Sequence, residues 1–327
     1  MKKITLLCVL LFGILACNSQ KQGEKTQASE PTEKHHSLLA KKDPYDLTTT
    51  LKYLTSNELK GRDVGSKGLD LAADYIEEVF EKNAIKPFFD KRSYRNYFSV
   101  KSEKTSNVVG YIPGERSDLA PLIIGAHYDH IGVVDPVGKD SIANGANDNA
   151  SGTAAVLELA KFFSHKKLKR DVIFALFSGE EKGLLGSQNF SKYLSKNEIE
   201  PYAVFNIEMI GVPMKDKDYL AYITGFENST FTEVFNSYTG KKTLGFLPEA
   251  QEMKLFQRSD NYPFYETFHI PAHTICTFDF TNFDYYHHVS DEFSEIDVEH
   301  IQNVVKEIQP GLLGIAKSTK NNIQLKE

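Results

Sequence analysis

Short apolar runs punctuate the middle of this chain: PLIIGA at 121–126, DVIFALF at 171–177, AVFNI at 203–207 and HTICTF at 273–278. They lack the in-and-out alternation of a half-exposed strand, so each reads as a strand covered on both faces. Between the first two lies TAAVLELAKFF at 153–163, apolar at helical spacing. Strand, helix, strand in that order predicts an α/β class with a mostly parallel, mixed central sheet and helices on both faces. Upstream, SKGLDLAADYIEEVFEKNAI puts Leu69, Ala73, Ile76 and Phe80 on one face of an amphipathic helix. Downstream, residues 294–317 open with Ser294 and Asp297 at capping-box spacing and read as a closing helix interrupted at Pro310. The stretch 214–258 has the weakest pattern and is expected to hold insertions that wall an active site. No internal repeat is present.

The start of the chain follows a different pattern. MKKITLLCVLLFGILAC has two lysines, an apolar stretch from Ile4 to Leu15, then Ala16 and Cys17. That stretch is too short for a permanent membrane span and reads as a secretory signal. Its ending resembles the bacterial lipobox, in which cleavage leaves a lipid-bearing cysteine. The expected organisation is therefore a lipoprotein signal at 1–16, a polar, aperiodic tether at 17–43 and a catalytic domain at 44–327. Lipidation at Cys17 would place the protein in a bacterial cell envelope, anchored to the membrane. Once Cys8 leaves with the signal and Cys17 carries lipid, Cys276 is alone, so no intrachain disulfide is expected.

Composition narrows the class. With 327 residues and 41% hydrophobic content the chain can build one large domain with a substantial core. Net charge is −6 with no basic stripe, which excludes the electrostatic footprint of a nucleic-acid binder.

The candidate chemistry sits at the ends of the apolar runs. His127 follows PLIIGA in GAHYDH, and Asp129, two residues on, can take the other ring N–H and fix its tautomer. Asp148 lies in NGANDNASG, a turn whose small neighbours allow close approach; the same turn also reads as a helix start capped by Asn149 or Ser151. In FSGEEKGLLGS, Glu180 and Glu181 follow a wholly apolar strand. Adjacent carboxylates repel unless their roles differ, and a metal separates them into a ligand and a general base. Glu208 in FNIEMIG would be a costly lone carboxylate at a buried strand end without a partner or a metal. His287 in FDYYHHVSDE follows Tyr286, a phenolic donor. His127, Asp148, Glu181, Glu208 and His287 thus supply two imidazoles and three carboxylates. Two zinc ions about 3.5–4 Å apart need such a set, with one carboxylate shared.

These motifs resemble metallopeptidase family 28, the co-catalytic zinc exopeptidases, from about Leu51 to the C-terminal helix. The resemblance implies a zinc-exopeptidase, phosphorylase/hydrolase-like fold and two Zn2+ per chain. It implies ligands at His127, Asp148 (bridging), Glu181, Glu208 and His287, with Glu180 as general base, Asp129 as helper of His127 and Tyr286 steadying the oxyanion. One zinc would be held by His127 and Glu208, the other by Glu181 and His287. The chain departs from the family at Glu208, where Asp is commoner, at His288, where Thr is usual, and at Asn261 of RSDNYPF, where His is usual. The expected activity is removal of N-terminal residues from peptides. A glutaminyl-cyclase-like acyltransferase and a non-catalytic ectodomain are the rival readings. A carboxypeptidase would need a cation for the terminal carboxylate, for which Arg258 is the candidate.

Overall fold

The computed structural model describes residues 43–89 and 93–326, so the expected signal, Cys17 and residues 17–42 of the expected tether lie outside the described residues. The strands, in chain order, are β1 (Lys86–Pro87), β2 (Arg95–Val100), β3 (Glu103–Ile112), β4 (Leu122–His127), β5 (Gly132–Val137), β6 (Asp140–Ala143), β7 (Val172–Phe177), β8 (Ala203–Ile207), β9 (Ala221–Ile223), β10 (Leu244–Gly245) and β11 (Ala272–Cys276). The helices are α1 (Leu47–Leu54), α2 (Lys67–Lys82), α3 (Ser151–Ser164), α4 (Leu185–Lys196), α5 (Phe231–Thr239), α6 (Pro248–Glu252), α7 (Tyr262–Phe268) and α8 (Val298–Lys317).

A mixed sheet runs in the order β1-β3-β7-β4-β8-β11-β9-β10, with β2 on the edge of β3; β5 and β6 form a separate hairpin. Its four central strands, β7, β4, β8 and β11, are parallel. The flanks turn antiparallel, where β3 meets β7 and β9 meets β11. Each central strand is buried along its length because its side chains divide between two cores. Leu122, Ile124 and Ala126 of β4 join one core while Ile123 joins the other; Phe174 and Leu176 of β7 oppose Ala175 and Phe177 in the same way. The first core is closed by α1, α2, α3, α5 and α8, and the second by α4 and α7. Continuous apolar strands are the sequence signature of that double cover.

The order also fixes where a site can form. From β4 the chain crosses by α3 to β7 on one side, then returns by α4 to β8 on the other side of β4. Crossovers keep one hand, so reversing direction puts α3 and α4 on opposite faces and opens a crevice at the carboxyl end of β4.

Two local expectations hold and one is corrected. Ser66 caps α2 by accepting from the Leu69 N–H at 3.1 Å, and Leu69, Ala73, Ile76 and Phe80 are all buried. Asn149 accepts from the Gly152 N–H at 3.0 Å, so the capping reading of that turn is right at its helical end. The closing helix is not interrupted: α8 runs through Pro310. Pro310 lies on the exposed face, as does Lys306, whose carbonyl loses its partner there and faces water instead of the core. Its cap is Asp297, which accepts from the His300 N–H at 2.9 Å, while Ser294 bonds Glu295. Residues 214–258 hold β9 and β10, which extend the sheet, and the helices α5 and α6; Tyr222, Leu247 and Ala250 pack with Cys276 and Phe278 in a third small core.

Candidate metal centre

The carboxyl ends of the central strands deliver the predicted side chains to one crevice. His127 is the last residue of β4, Glu180 and Glu181 follow β7 by a short turn, and Glu208 follows β8. Asp148 stands in the irregular turn before α3, and His287 comes from the loop before α8. Its φ of 55° is a left-handed conformation, uncommon for a residue with a side chain.

Asp148 is the centre of the arrangement. Its Oδ1 lies 3.3 Å from His127 Nε2 and its Oδ2 lies 3.3 Å from His287 Nε2, so one oxygen faces each imidazole. His287 Nε2 is also 3.0 Å from Glu181 Oε2. Donor atoms bound at about 2.0–2.2 Å around a tetrahedral ion stand roughly 3.3–3.6 Å apart, close to these separations. The turn that carries Asp148 is held from behind by Asp291, which accepts from the N–H groups of Asn147 (2.7 Å) and Asp148 (3.0 Å).

The electrostatics also call for cations. Asp129, Asp148, Asp260 and Asp291 are buried, and Glu180, Glu181 and Glu208 are only partly exposed. Burial pushes Glu180 well above the usual carboxylate range, raises Glu208, and lifts Asp260 to about 8 and Asp291 to about 7. Asp148 and Glu181 are held low despite burial, by the imidazoles around them. Both oxygens of Asp260 lack a hydrogen-bond partner. The buried Arg62 guanidinium contacts none of these acids; it donates to the carbonyls of Leu54, Tyr128 (2.8 Å), Asn144 (2.7 Å) and Gly145 (3.1 Å). The same acids raise His127 and His287, so protons fill the place of cations between these groups, and a crevice where this many carboxyls and imidazoles converge fits divalent metal.

Asp129 serves His127 differently from the expectation. His127 Nδ1 is 3.1 Å from the Asp129 carbonyl oxygen and 3.7 Å from its Oδ1, while that Oδ1 accepts from the Glu180 N–H at 3.3 Å. Either contact orients the ring with Nε2 towards Asp148; the carboxylate also fixes the turn of the Glu pair. The Tyr286 ring stacks on His287 at 4.0 Å; the residue is exposed on its outer side, and partial desolvation of its hydroxyl beside the acids raises its pKa, so it stays a donor. Next to Glu208 opens a pocket lined by Tyr222, Leu255, Cys276, Phe278, Tyr286 and Arg258. Arg258 is exposed and forms no ion pair among the described residues. Sequence reasoning left out Arg62, His130, Asp260 and Asp291. His130 stands in the AHYDH run and Asp260 in RSDNYPF, whereas Arg62 had no signal at all.

The chain belongs to peptidase family M28, whose profile matches residues 107–309. A relative from the fungus Pyrenophora teres f. teres, named "Probable zinc metalloprotease", is 27% identical over 58% of this chain and 43% of its own length. The chain spans less than half the length of the first curated relatives it matches. Among solved structures, the Legionella pneumophila LapA aminopeptidase superposes with a TM-score of 0.65 at 21% identity, covering 84% of this chain and 72% of that one. The Porphyromonas gingivalis glutaminyl cyclase superposes with a TM-score of 0.63 at 16% identity, covering 83% and 97%. At these identities the two structures speak for the shared fold.

Proposed function

We propose that the protein is a zinc-dependent aminopeptidase with two zinc ions, one held by His127, Asp148 and Glu208 and the other by Asp148, Glu181 and His287. The observation that carries this reading is Asp148, whose two oxygens face His127 and His287 at the same 3.3 Å. Zinc at these side chains supplies Lewis acidity to the scissile carbonyl and the attacking water. Glu180, whose carboxyl burial raises towards greater basicity, takes the proton from the water as the new C–O bond forms. It then gives that proton to the nitrogen as the C–N bond breaks, so the product amine leaves neutral. The Tyr286 hydroxyl donates to the developing oxyanion. Glu208 and Glu180, ionised when zinc is bound, would make the crevice acidic where a protonated α-amine would sit, which favours the amino end of a peptide over its carboxyl end.

The test compares matched peptides with an acetylated amine or an amidated carboxyl end against the purified protein, with zinc counted on the same sample. Acetylation is expected to lower kcat/KM by roughly 30- to 1000-fold, the worth of one desolvated charge contact. Amidation is expected to change little. Amidation as the damaging change would assign the site to a carboxypeptidase served by Arg258. Conversion of N-terminal Gln to a cyclic product with a single bound zinc would assign it to a cyclase.

A further inference from the structure

His130 lies between the two acids of the second metal position and has no role in the reading above. Its ring is fully buried, with Nδ1 3.0 Å from Glu181 Oε1 and 3.7 Å from Asp148 Oδ2. The three side chains offer ligand-type atoms all within 4.8 Å of one another. The ring occupies a built socket. Its backbone N–H donates to the Arg62 carbonyl at 3.3 Å, and the Arg62 guanidinium ties down the Asn144 and Gly145 carbonyls beside it. Gly145, at φ +59°, lies against the ring so closely that a Cβ there would stand 2.6 Å from His130 Cγ and Cδ2.

The partners decide the tautomer. Nε2 is buried with no hydrogen-bond partner, so a proton there would be an unpaired donor. It would also turn the Nδ1 lone pair against a carboxylate oxygen. With the proton on Nδ1, the ring donates to Glu181 and leaves only a lone pair unpartnered. Glu181 is then divided: Oε1 is taken by His130, and Oε2 faces His287 Nε2 at 3.0 Å.

We propose that His130 is a positioning residue for the second zinc, its Nδ1–H fixing Glu181 Oε1 so that Oε2 is presented to the metal together with His287 and Asp148. The proposal rests on the two-zinc reading. Outer partners of metal-bound carboxylates set affinity, and losing one costs about 10- to 100-fold. Of the two acids, only Glu181, which belongs to one position, is within hydrogen-bond distance of His130; the shared Asp148 stands off at 3.7 Å, so the loss of His130 should fall chiefly on one ion.

The test is stepwise zinc affinity of the full-length protein, measured by competition with a chelator, for wild type, His130→Asn and His130→Gln. The Asn amide nitrogen sits where Nδ1 stood; the Gln amide does not. His130→Gln is expected to weaken one equivalent by about 10- to 100-fold and leave the other unchanged. His130→Asn is expected to stay close to wild type. Equal retention in both variants would overturn the proposal, and equal loss in both would make His130 a direct ligand or a packing residue instead. Wild type binding a single zinc would count against the two-zinc reading. The Asn and Gln comparison then applies to that one equivalent, and an affinity indifferent to both would still overturn the role of His130.

Discussion

Ser259 donates its hydroxyl to Glu208 Oε1 across 2.5 Å. Asn206 Nδ2 reaches the same oxygen at 3.1 Å, so Oε1 is engaged and the second oxygen is left for the His127 side. The longer Glu at this position is therefore anchored by its own donors. The network continues through Thr274, which donates to Asn261 Oδ1 at 2.8 Å, giving the Asn that replaces the family's usual His a structural part. Ser259→Ala should weaken zinc at the His127 position by about tenfold and leave the His287 position intact. Zinc competition titrations check this, and equal weakening of both equivalents would mean that Ser259 serves the fold instead of the ligand.

The adjacent acids Glu180 and Glu181 should separate cleanly. Glu181 Oε2 meets His287 Nε2 at 3.0 Å, whereas Glu180 has no imidazole contact of that kind and is raised by burial. Glu180→Gln should keep zinc and fold while kcat falls by roughly 10²–10⁴. Glu181→Gln should lose one zinc. Metal analysis beside steady-state kinetics distinguishes the two, and loss of zinc in the Glu180 variant would reverse the assignment.

The central strands were legible because double-sided burial writes itself as unbroken apolar runs, and the end of each run pointed to His127, the Glu pair and Glu208. The edges were less so. Strand β2 and the first half of β3 carry Arg95, Asn96, Glu103, Lys104 and Asn107, a polar content that masks the two-sided burial of Val108 and Val109 further along β3. What holds the site from outside was the least visible. Arg62 acts through a guanidinium that bonds only backbone carbonyls, so no partner side chain in the sequence advertises it. Asp291 and His130 stood inside recognised motifs, but their roles depend on which neighbour folds against them, a long-range fact that spacing does not encode. Pro310 misled because a helix breaker is judged locally, while its exposed face makes the lost bond tolerable.

Removing the metal should make stability fall with rising pH. Burial holds Asp260 at about 8 and Asp291 at about 7, and raises Glu180 well above the usual range, whereas in the unfolded chain such groups titrate near 4. A carboxyl with a raised folded-state pKa binds its proton more tightly when folded, so its contribution is complete below about pH 4 and lost as pH rises through 7 and 8. His287, raised to about 10 by Asp148 and Glu181, acts in the same direction, losing its contribution between about 6.5 and 10. His273 opposes them only at lower pH: burial holds it at about 4, so its contribution is lost as pH falls from about 6.5, and above that it is neutral in both states. Between pH 6.5 and 8.5 every one of these shifts has the same sign. Zinc removes the penalty by favouring the ionised acids, and because binding requires deprotonated ligands its stabilisation grows over the same range. Thermal unfolding of metal-stripped and zinc-loaded protein should therefore show the stripped form losing Tm from pH 6.5 to 8.5 and the gap between the two widening. A stripped protein as stable at pH 8.5 as at 6.5 would mean that these acids are not held together by the fold as described.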